Sequence, residues 1–214
     1  MEYIDRYKAR LESKGDSPQQ SAMNRSKRNV DKNFHTSPSY KNVQIGGQSV
    51  DSIVYEDGTI EFRPGISYPI GTEISVDDTI FLITEFTNNL INPKAELEMC
   101  NSTITIKSIP LPPTPIEYDD FMNPIYPDDY DPTPQTLSFP AILEKSVVNE
   151  DTGAKIALDE DKIKATISYT ETTINSFWAY GEKYDVYSKD LTKVIKDKGL
   201  LILFGERSRN DGTV

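Results

Sequence analysis

The stretch SVDSIVYEDGTIEF, residues 49–62, decides the fold class. Its centre, Asp57-Gly58, is a dipeptide typical of the tight turn in a β-hairpin. An apolar run precedes this turn, and Ile60 and Phe62 alternate with polar residues after it. Alternation around such a turn is the pattern of antiparallel strands with one buried face. The sequence therefore predicts a mainly β protein.

Strand patterns continue on both sides of this hairpin. Before residue 108, the segments rich in strand-forming residues are 43–45, 50–53, 79–84 and 97–106. From residue 136 the pattern returns at 137–139, 141–143, 165–169, 177–180, 184–187 and 200–204. We predict two small β modules, one over residues 39–108 and one over residues 136–214.

The two β regions also resemble each other at a constant offset of 104 residues. Residues 76–82 match residues 180–186, and residues 94–99 match residues 198–203. Each half has a turn, a strand, a stretch without a clear period and a further strand. Because a barrel of five or six short strands closes its own edges, we expect both halves to be variants of one small β-barrel.

A basic segment, residues 1–38, precedes the first module. Through residue 40 the chain carries eight Lys/Arg and five Asp/Glu, a net charge of +3. Apolar residues recur on one helix face from Tyr3 to Leu11, and Ser17-Pro18 can cap and begin a second helix. We predict a helical hairpin, which must dock on the body or on another subunit because so few apolar residues cannot form a core.

The positive charges of this segment have two interpretations. They form either a solvated helix face or a surface for an acidic protein partner. The candidate interface residues are Arg6, Arg10, Lys27 and Arg28.

Residues 109–135 form a segment of a third kind. Nine of the fourteen prolines fall within residues 109–140, and six acids lie between Glu117 and Asp131. Proline disfavours both a helix and a central strand, so we predict an extended arm. It is either a stiff, solvated linker or an arm whose aromatic side chains dock into a neighbouring subunit. Those side chains are Tyr118, Phe121, Tyr126 and Tyr130.

The composition argues against several functional classes. The 214 residues carry a net charge of -11, whereas general nucleic-acid binding needs cations to neutralise phosphates. No apolar run approaches the roughly 20 residues that span a bilayer, and the N-terminus lacks the apolar region of a signal peptide. One cysteine and one histidine allow neither an internal disulfide nor a histidine-based metal site. We expect no membrane partner, no cofactor and no metal.

The search for catalytic residues yields no candidate. His35 has no adjacent acid and nucleophile, so we interpret it as a surface or cap residue. Cys100 stands in a strand pattern and is expected to fill the core. Three acid pairs remain, in turns or in the arm, where carboxylates are usually solvated: Asp77-Asp78, Asp119-Asp120 and Asp128-Asp129. We therefore expect a protein that is not an enzyme.

Several short motifs follow one another along residues 1–107. In chain order they are RYKARLE (6–12), KG (14–15), SPSY (37–40), FRPG (62–65), IG (70–71), FLITE (81–85), PKA (93–95) and MCN (99–101). Weaker matches are YDV (184–186) and GLL (199–201). In this order the motifs resemble those of the head–tail connector, or neck, structural proteins of tailed phages of Gram-positive hosts.

The resemblance implies a virion protein that forms a ring between portal and tail, around the DNA channel of the head–tail junction. Such a protein would be made in the host bacterial cytoplasm and would contact the portal, other neck proteins and tail proteins. DNA would pass through the lumen without specific binding. The long acidic arm departs from the family pattern, so the roles of connector, adaptor and stopper stay open. A tail or baseplate component is the alternative, because those proteins also use small β-barrels.

Overall fold

The computed structural model describes residues 3, 4, 6, 15, 17–108, 115, 117–125, 135–148 and 155–208. The chain divides into two compact units, residues 1–99 and 100–214. Helix α1 spans Pro18–Asn33, and a 3-10 turn spans Phe34–Thr36. The strands of the first unit are β1 (Tyr40–Ile45), β2 (Gln48–Val54), β3 (Thr59–Phe62), β4 (Glu73–Val76), β5 (Thr79–Thr87) and β6 (Lys94–Met99). Those of the second unit are β7 (Ser102–Ser108), β8 (Glu117–Tyr118), β9 (Pro124–Ile125), β10 (Gln135–Glu144), β11 (Ser146–Val148), β12 (Lys155–Ala157), β13 (Lys162–Ser168), β14 (Ser176–Ala179), β15 (Glu182–Asp190), β16 (Val194–Ile195) and β17 (Lys198–Arg207).

Helix α1 is the second helix of the predicted hairpin. Ser17 caps it by accepting a hydrogen bond from the backbone N–H of Gln20 at 3.1 Å. Pro18 fits the first turn, where a helix has no partner for the N–H that proline lacks. The predicted first helix lies outside the described residues, apart from three helical residues near its start.

The six strands of the first unit close into a barrel in the order β1-β2-β3-β6-β5-β4, which we call barrel 1. Neighbouring strands are antiparallel, and the ring closes where Ile45 of β1 pairs with Ile74 of β4. Alternate side chains point inward because successive residues of a strand face opposite sides. The buried core comprises Val43, Ile45, Ile60, Phe62, Ile74, Val76, Ile83 and Ala95.

Six strands of the second unit close into barrel 2, in the order β7-β10-β13-β17-β15-β14. The ring closes where Thr105 of β7 pairs with Trp178 of β14, and β16 pairs with one end of β17 outside the ring. The predicted mainly β fold with two barrel-like modules is therefore confirmed. The buried core comprises Ile104, Ile106, Ala141, Leu143, Ile163, Ala165, Ile167, Ile174, Phe177, Ala179, Tyr184, Leu201 and Leu203.

Barrel 2 repeats barrel 1 strand by strand. In chain order, β1 to β6 of barrel 1 correspond to β7, β10, β13, β14, β15 and β17 of barrel 2. With this correspondence the two barrels have the same spatial order of strands. The register agrees at the closure, where Gln44 pairs with Ser75 in barrel 1 and Thr105 pairs with Trp178 in barrel 2. β5 and β15 also carry a bulge at the matching position. The prediction that both halves are variants of one small barrel is confirmed.

The predicted constant offset of 104 residues is wrong. The β4–β5 turn is Asp77-Asp78 and the β14–β15 turn is Tyr180-Gly181, all four residues with positive φ. Asp77 therefore corresponds to Tyr180, so the offset between the two turns is one residue smaller than predicted. Insertions change the offset elsewhere, and one of them, residues 145–161, carries the hairpin β11–β12 between β10 and β13.

The proline-rich arm belongs to barrel 2 and does not join the two barrels. Ser108 at the end of β7 pairs with Gln135 at the start of β10, so residues 109–134 leave and re-enter the barrel at neighbouring strands. The corresponding connection in barrel 1 is the turn Gly46-Gly47 between β1 and β2. The structure thus corrects the interpretation of a linker between modules: the arm is an insertion in a hairpin.

The boundary between the modules also differs from the predicted one. The predicted strand over residues 97–106 divides at Cys100 and Asn101 into β6 of barrel 1 and β7 of barrel 2. The Asn101 side chain fixes this point, since it donates to the Leu143 carbonyl at 2.9 Å and accepts from the Leu143 N–H at 2.8 Å. The first unit therefore ends at Met99 and not at residue 108. Cys100 lies half-buried between two strands, and not within one.

Candidate protein interface

The C-terminal end of helix α1 is held on barrel 1 by one arginine. Arg63, which follows β3, donates from Nη1 to Asp31 Oδ1 of the helix and from Nη2 to Asp51 Oδ2 of β2, both at 2.6 Å. Its guanidinium carbon lies 5.5 Å from the centre of the Phe34 ring. Because Phe34 is only 1% exposed, this end of the helix has a fixed position. The described end of the N-terminal segment is thus docked on the body.

A hydrogen-bond network surrounds this arginine. Tyr40 donates its hydroxyl to Asp51 Oδ1 at 2.6 Å, a bond that lowers the pKa of Asp51 and raises the pKa of Tyr40. His35 Nε2 lies 2.6 Å from Arg63 Nη2, and its ring packs edge-on against Tyr40 with 4.8 Å between centroids. His35 is exposed, in line with its interpretation as a surface residue, yet it takes part in docking the helix.

Helix α1 presents a positively charged surface beside an apolar groove. Its residues 18–33 contain one Asp and four Lys/Arg, a net charge of +3. The four cations are Arg25, Lys27, Arg28 and Lys32. The helix groove is lined by Asn29, Val30, Asn33, Phe34 and Ile53 of β2. Asn29 also borders a shallow site with Ser21, Arg25 and Arg28. Cations therefore stand at the rim of an apolar groove.

Within the arm, residues 117–125 fold into a short hairpin of β8 and β9. Asp119 holds its turn. Asp119 Oδ2 accepts from the Asn123 side-chain amide at 2.9 Å, and Oδ1 accepts from the backbone N–H groups of Asn123 at 2.7 Å and Phe121 at 2.9 Å. The bonds from Asn123, chiefly that of its side chain, lower the pKa of Asp119, so the charged carboxylate keeps the turn in place at neutral pH.

This turn, residues 119–123, presents two adjacent apolar side chains to solvent, and we call it the arm tip. Phe121 is 86% exposed and Met122 is 81% exposed. Met122 has a φ of 65°, which a non-glycine residue keeps only where its surroundings fix it. Clustered exposed apolar side chains mark contact sites. The arm tip is therefore a small, preformed contact surface flanked by acids.

Comparison with known proteins relates the chain to one family. The family model of the YomX C-terminal domain matches residues 73–206. These residues run from the start of β4 to Glu206 in β17. The chain belongs to the YomX C-terminal domain family. This family is phage-derived, with YomX coming from a Bacillus prophage. No curated protein and no solved structure matched the chain.

The YomX C-terminal domain match has a clear position in the fold. It covers the last three strands of barrel 1, the six strands of barrel 2 and the arm, while α1 and β1 to β3 precede it. The predicted resemblance to phage proteins is thereby confirmed at the level of a phage-derived family.

The structure locates half of the predicted interface residues of this YomX-type chain. Those with described positions are Arg6, an exposed helical residue, Lys27 and Arg28 on α1, and Phe121 at the arm tip. The others lie outside the described residues: Arg10, Tyr126, Tyr130 and the side chain of Tyr118, whose backbone belongs to β8. The interface role of all eight stays a prediction.

Sequence reasoning missed several exposed apolar side chains. Met122 follows Phe121 directly, and the hydrogen bonds of the turn expose both. On barrel 2, Tyr187, Leu191 and Ile195 are 52%, 51% and 72% exposed. For Tyr187, which lies in β15, an apolar residue on the polar side of an alternating strand is the signal that identifies the position from sequence.

The described part of the chain offers two surfaces for contact, helix α1 and the arm tip, and a polar network holds each of them in place. Among its residues no group of three His, Cys, Asp or Glu is arranged to hold a metal ion. No helix with described residues has the length and apolarity to cross a membrane. The network around Arg63 positions α1, and the one around Asp119 positions the arm tip.

Proposed function

We propose that this YomX-type protein is a structural component of the phage neck, which forms a ring between portal and tail around the DNA channel. It would act there as connector, adaptor or stopper, without catalysis. Its partners would be further copies of itself, the portal or other neck proteins, and tail proteins. In this proposal it is made in the cytoplasm of the host bacterium and ends at the head–tail junction of the virion.

The insertion of the arm into barrel 2 carries the proposal. A closed barrel has no free edge to cover, and barrel 1 makes the same connection with Gly46-Gly47 alone. Closure of the barrel therefore does not by itself require an insertion at this hairpin. An acidic arm with a preformed apolar tip is instead suited to contact with a neighbour, where a few apolar anchors supply most of the binding energy.

The charge of the chain supports a position around the DNA channel. Its net charge of -11 has the same sign as DNA, and like charge keeps a passing duplex from adhering to the wall. Specific nucleic-acid binding is not part of the proposal.

Gold-labelled antibodies against the protein, applied to purified phage particles, test the location. We expect label at the head–tail junction in electron micrographs. Label at the far end of the tail would support a tail or baseplate component instead. Particles without label, although the same antibody detects the purified chain, would refute both.

Variants of the arm test whether it makes a contact or serves as a spacer. Exchange of Phe121 and Tyr126 for Ala should impair incorporation into particles, at a cost on the order of a few kcal/mol of contact energy. Exchange of Asp128 and Asp129 for Asn should matter far less, because exposed charges contribute little. A Gly/Ser replacement of equal length controls for stiffness. If the alanine variant is incorporated normally and only the Gly/Ser variant fails to be incorporated, the arm is a spacer.

A further inference from the structure

We infer that the arm tip of one copy binds helix α1 of a second copy, with Phe121 and Met122 in the helix groove. The inference deepens the proposed function and rests on it, because it names the neighbour that the arm would contact in a ring. It describes a contact between copies that can be measured in solution, separately from the place of the protein in the virion.

The apolar half of the contact is complementary in size and chemistry. The helix groove is an open depression of about 300 Å³, at the small end of the range for binding pockets and suited to one or two side chains. Val30 of α1 lines the groove, and the buried side chains of Phe34 in the 3-10 turn and Ile53 in β2 form its floor. Phe121 and Met122 are the paired apolar side chains that the arm tip exposes.

The charged half is complementary as well. Residues 117–125 carry three acids and no Lys or Arg, a net charge of -3, and residues 18–33 carry +3. Asp119 is engaged in its own turn, so the exposed Asp120 is the carboxylate that the tip offers. On the helix, Arg25 stands four positions before Asn29, at the rim of the groove. Opposite charges placed around an apolar contact fix its orientation and exclude wrong partners.

The same charges restrict which patches of two copies can meet. Two arm tips repel each other because each has a net negative charge, and two copies of helix α1 repel each other because each has a net positive charge. A two-fold contact that uses one patch twice is therefore disfavoured. A tip on a helix joins two different patches, so the contact can pass from copy to copy, and its repetition closes a ring when the rotation between copies permits it.

Complementation between two defective variants tests this contact directly. In the first variant, F121A with M122A, the helix groove is intact and the tip is lost. The second, N29E, keeps the tip but places a negative charge at the exposed groove position nearest the arginines. N29K is its matched control, because Lys keeps the helix and adds a charge of the attractive sign. Far-UV circular dichroism and Trp178 fluorescence verify folding of each variant.

Analytical ultracentrifugation of the full-length proteins gives the outcomes. We expect wild-type self-association to weaken at least about 10-fold in F121A/M122A and in N29E, and to persist or strengthen in N29K. Mixed in equal amounts, the two defective variants should form a 1:1 dimer and nothing longer, since only one functional contact is left. A mixture that stays monomeric, or N29E assembling as well as wild type, would overturn the inference.

The solution result is independent of the proposed location. If the 1:1 dimer forms but antibodies find no label at the head–tail junction, the contact between copies stands and the neck function falls. If label is found there but complementation fails, the neck function stands and this contact is wrong.

Discussion

Gly205 in β17 lies beneath two aromatic side chains of barrel 2. Phe177 and Tyr184 stack with 5.6 Å between ring centroids. A Cβ at Gly205 would come within 2.9 Å of the Phe177 ring and 3.0 Å of the Tyr184 Cβ. In barrel 1, Ile74, Phe81 and Leu97 occupy the positions of Phe177, Tyr184 and Gly205. The smaller Ile74 in place of Phe177 leaves room for the larger Leu97 in place of Gly205.

We predict that G205A lowers the free energy of unfolding of barrel 2 by about 1–3 kcal/mol, because the added methyl group overpacks the core. Urea denaturation followed by the fluorescence of Trp178, the single tryptophan of the chain, measures this barrel selectively. G205L should be worse than G205A. F177I combined with G205L, which copies barrel 1, should recover part of that loss. Unchanged stability in G205A would contradict the packing described.

The carboxyl group of Asp51 makes helix docking dependent on pH. Its pKa is lowered, chiefly by the hydrogen bond from Tyr40 and further by Arg63. A lowered pKa in the folded state contributes stability above the ordinary Asp value of about 4. That contribution is lost as the pH falls through the lowered pKa. The attachment of α1 to barrel 1 should therefore weaken at acid pH.

We predict that Y40F raises the pKa of Asp51 toward its ordinary value and moves the acid loss of stability to higher pH. Carboxyl NMR titration of Asp51 in the wild type and in Y40F measures the first effect. Chemical denaturation of both proteins at several pH values between about 3 and 6 measures the second. D51N serves as the control, since it lacks the titrating group. Identical Asp51 titrations in the wild type and in Y40F would show that the bond from Tyr40 is not the cause.

At the scale of elements, the arm and the turn Gly46-Gly47 make equivalent connections in the two barrels. Both join the first two strands of their barrels, and both begin and end at paired residues: Ser108 with Gln135, and Ile45 with Gln48. A two-residue loop of the Asn-Gly kind closes such a hairpin without strain.

We predict that barrel 2 keeps its fold when residues 109–134 are replaced by Asn-Gly, while self-association is lost. Its free energy of unfolding should be equal or higher by up to about 2 kcal/mol, because closing a loop costs roughly 0.6 kcal/mol for each doubling of its length. Trp178 fluorescence during denaturation measures the stability, and sedimentation measures the association. The same Asn-Gly at positions 46 and 47 is the control. An unfolded barrel 2 would show that the arm is part of its core.

For the whole molecule, the separate cores of the two barrels make each unit a candidate for independent folding. The second unit must include β7, because this strand pairs with both β10 and β14 and so closes barrel 2. The predicted module boundary at residue 108 would leave β7 on the wrong side.

We predict that residues 100–214 fold alone with a Trp178 unfolding midpoint close to that of the full chain. Residues 109–214 should not fold, because the barrel would lack one strand and two edges would be unpaired. Circular dichroism and Trp178 fluorescence of both fragments measure this. A folded 109–214 fragment would show that β7 is dispensable for barrel 2.

The sequence was informative where a local signal existed. Asp57-Gly58 predicted its hairpin, Ser17-Pro18 predicted the start of α1, and the proline content predicted the arm. No Gly or Pro marks the break at Cys100-Asn101, so a long-range partner, the backbone of Leu143, determines it. The buried position of Phe34 and the exposure of Met122 likewise depend on contacts that periodicity does not encode.

The pairing of Ser108 with Gln135 has a practical consequence. The polypeptide between them only has to start and finish on adjacent strands, about 4.8 Å apart, so the scaffold places little restriction on its composition. A foreign epitope or affinity tag grafted between these residues would be displayed on a folded carrier. Lengthening the graft costs little in closure entropy. Barrel 2 is therefore a natural starting point for a modular presentation scaffold.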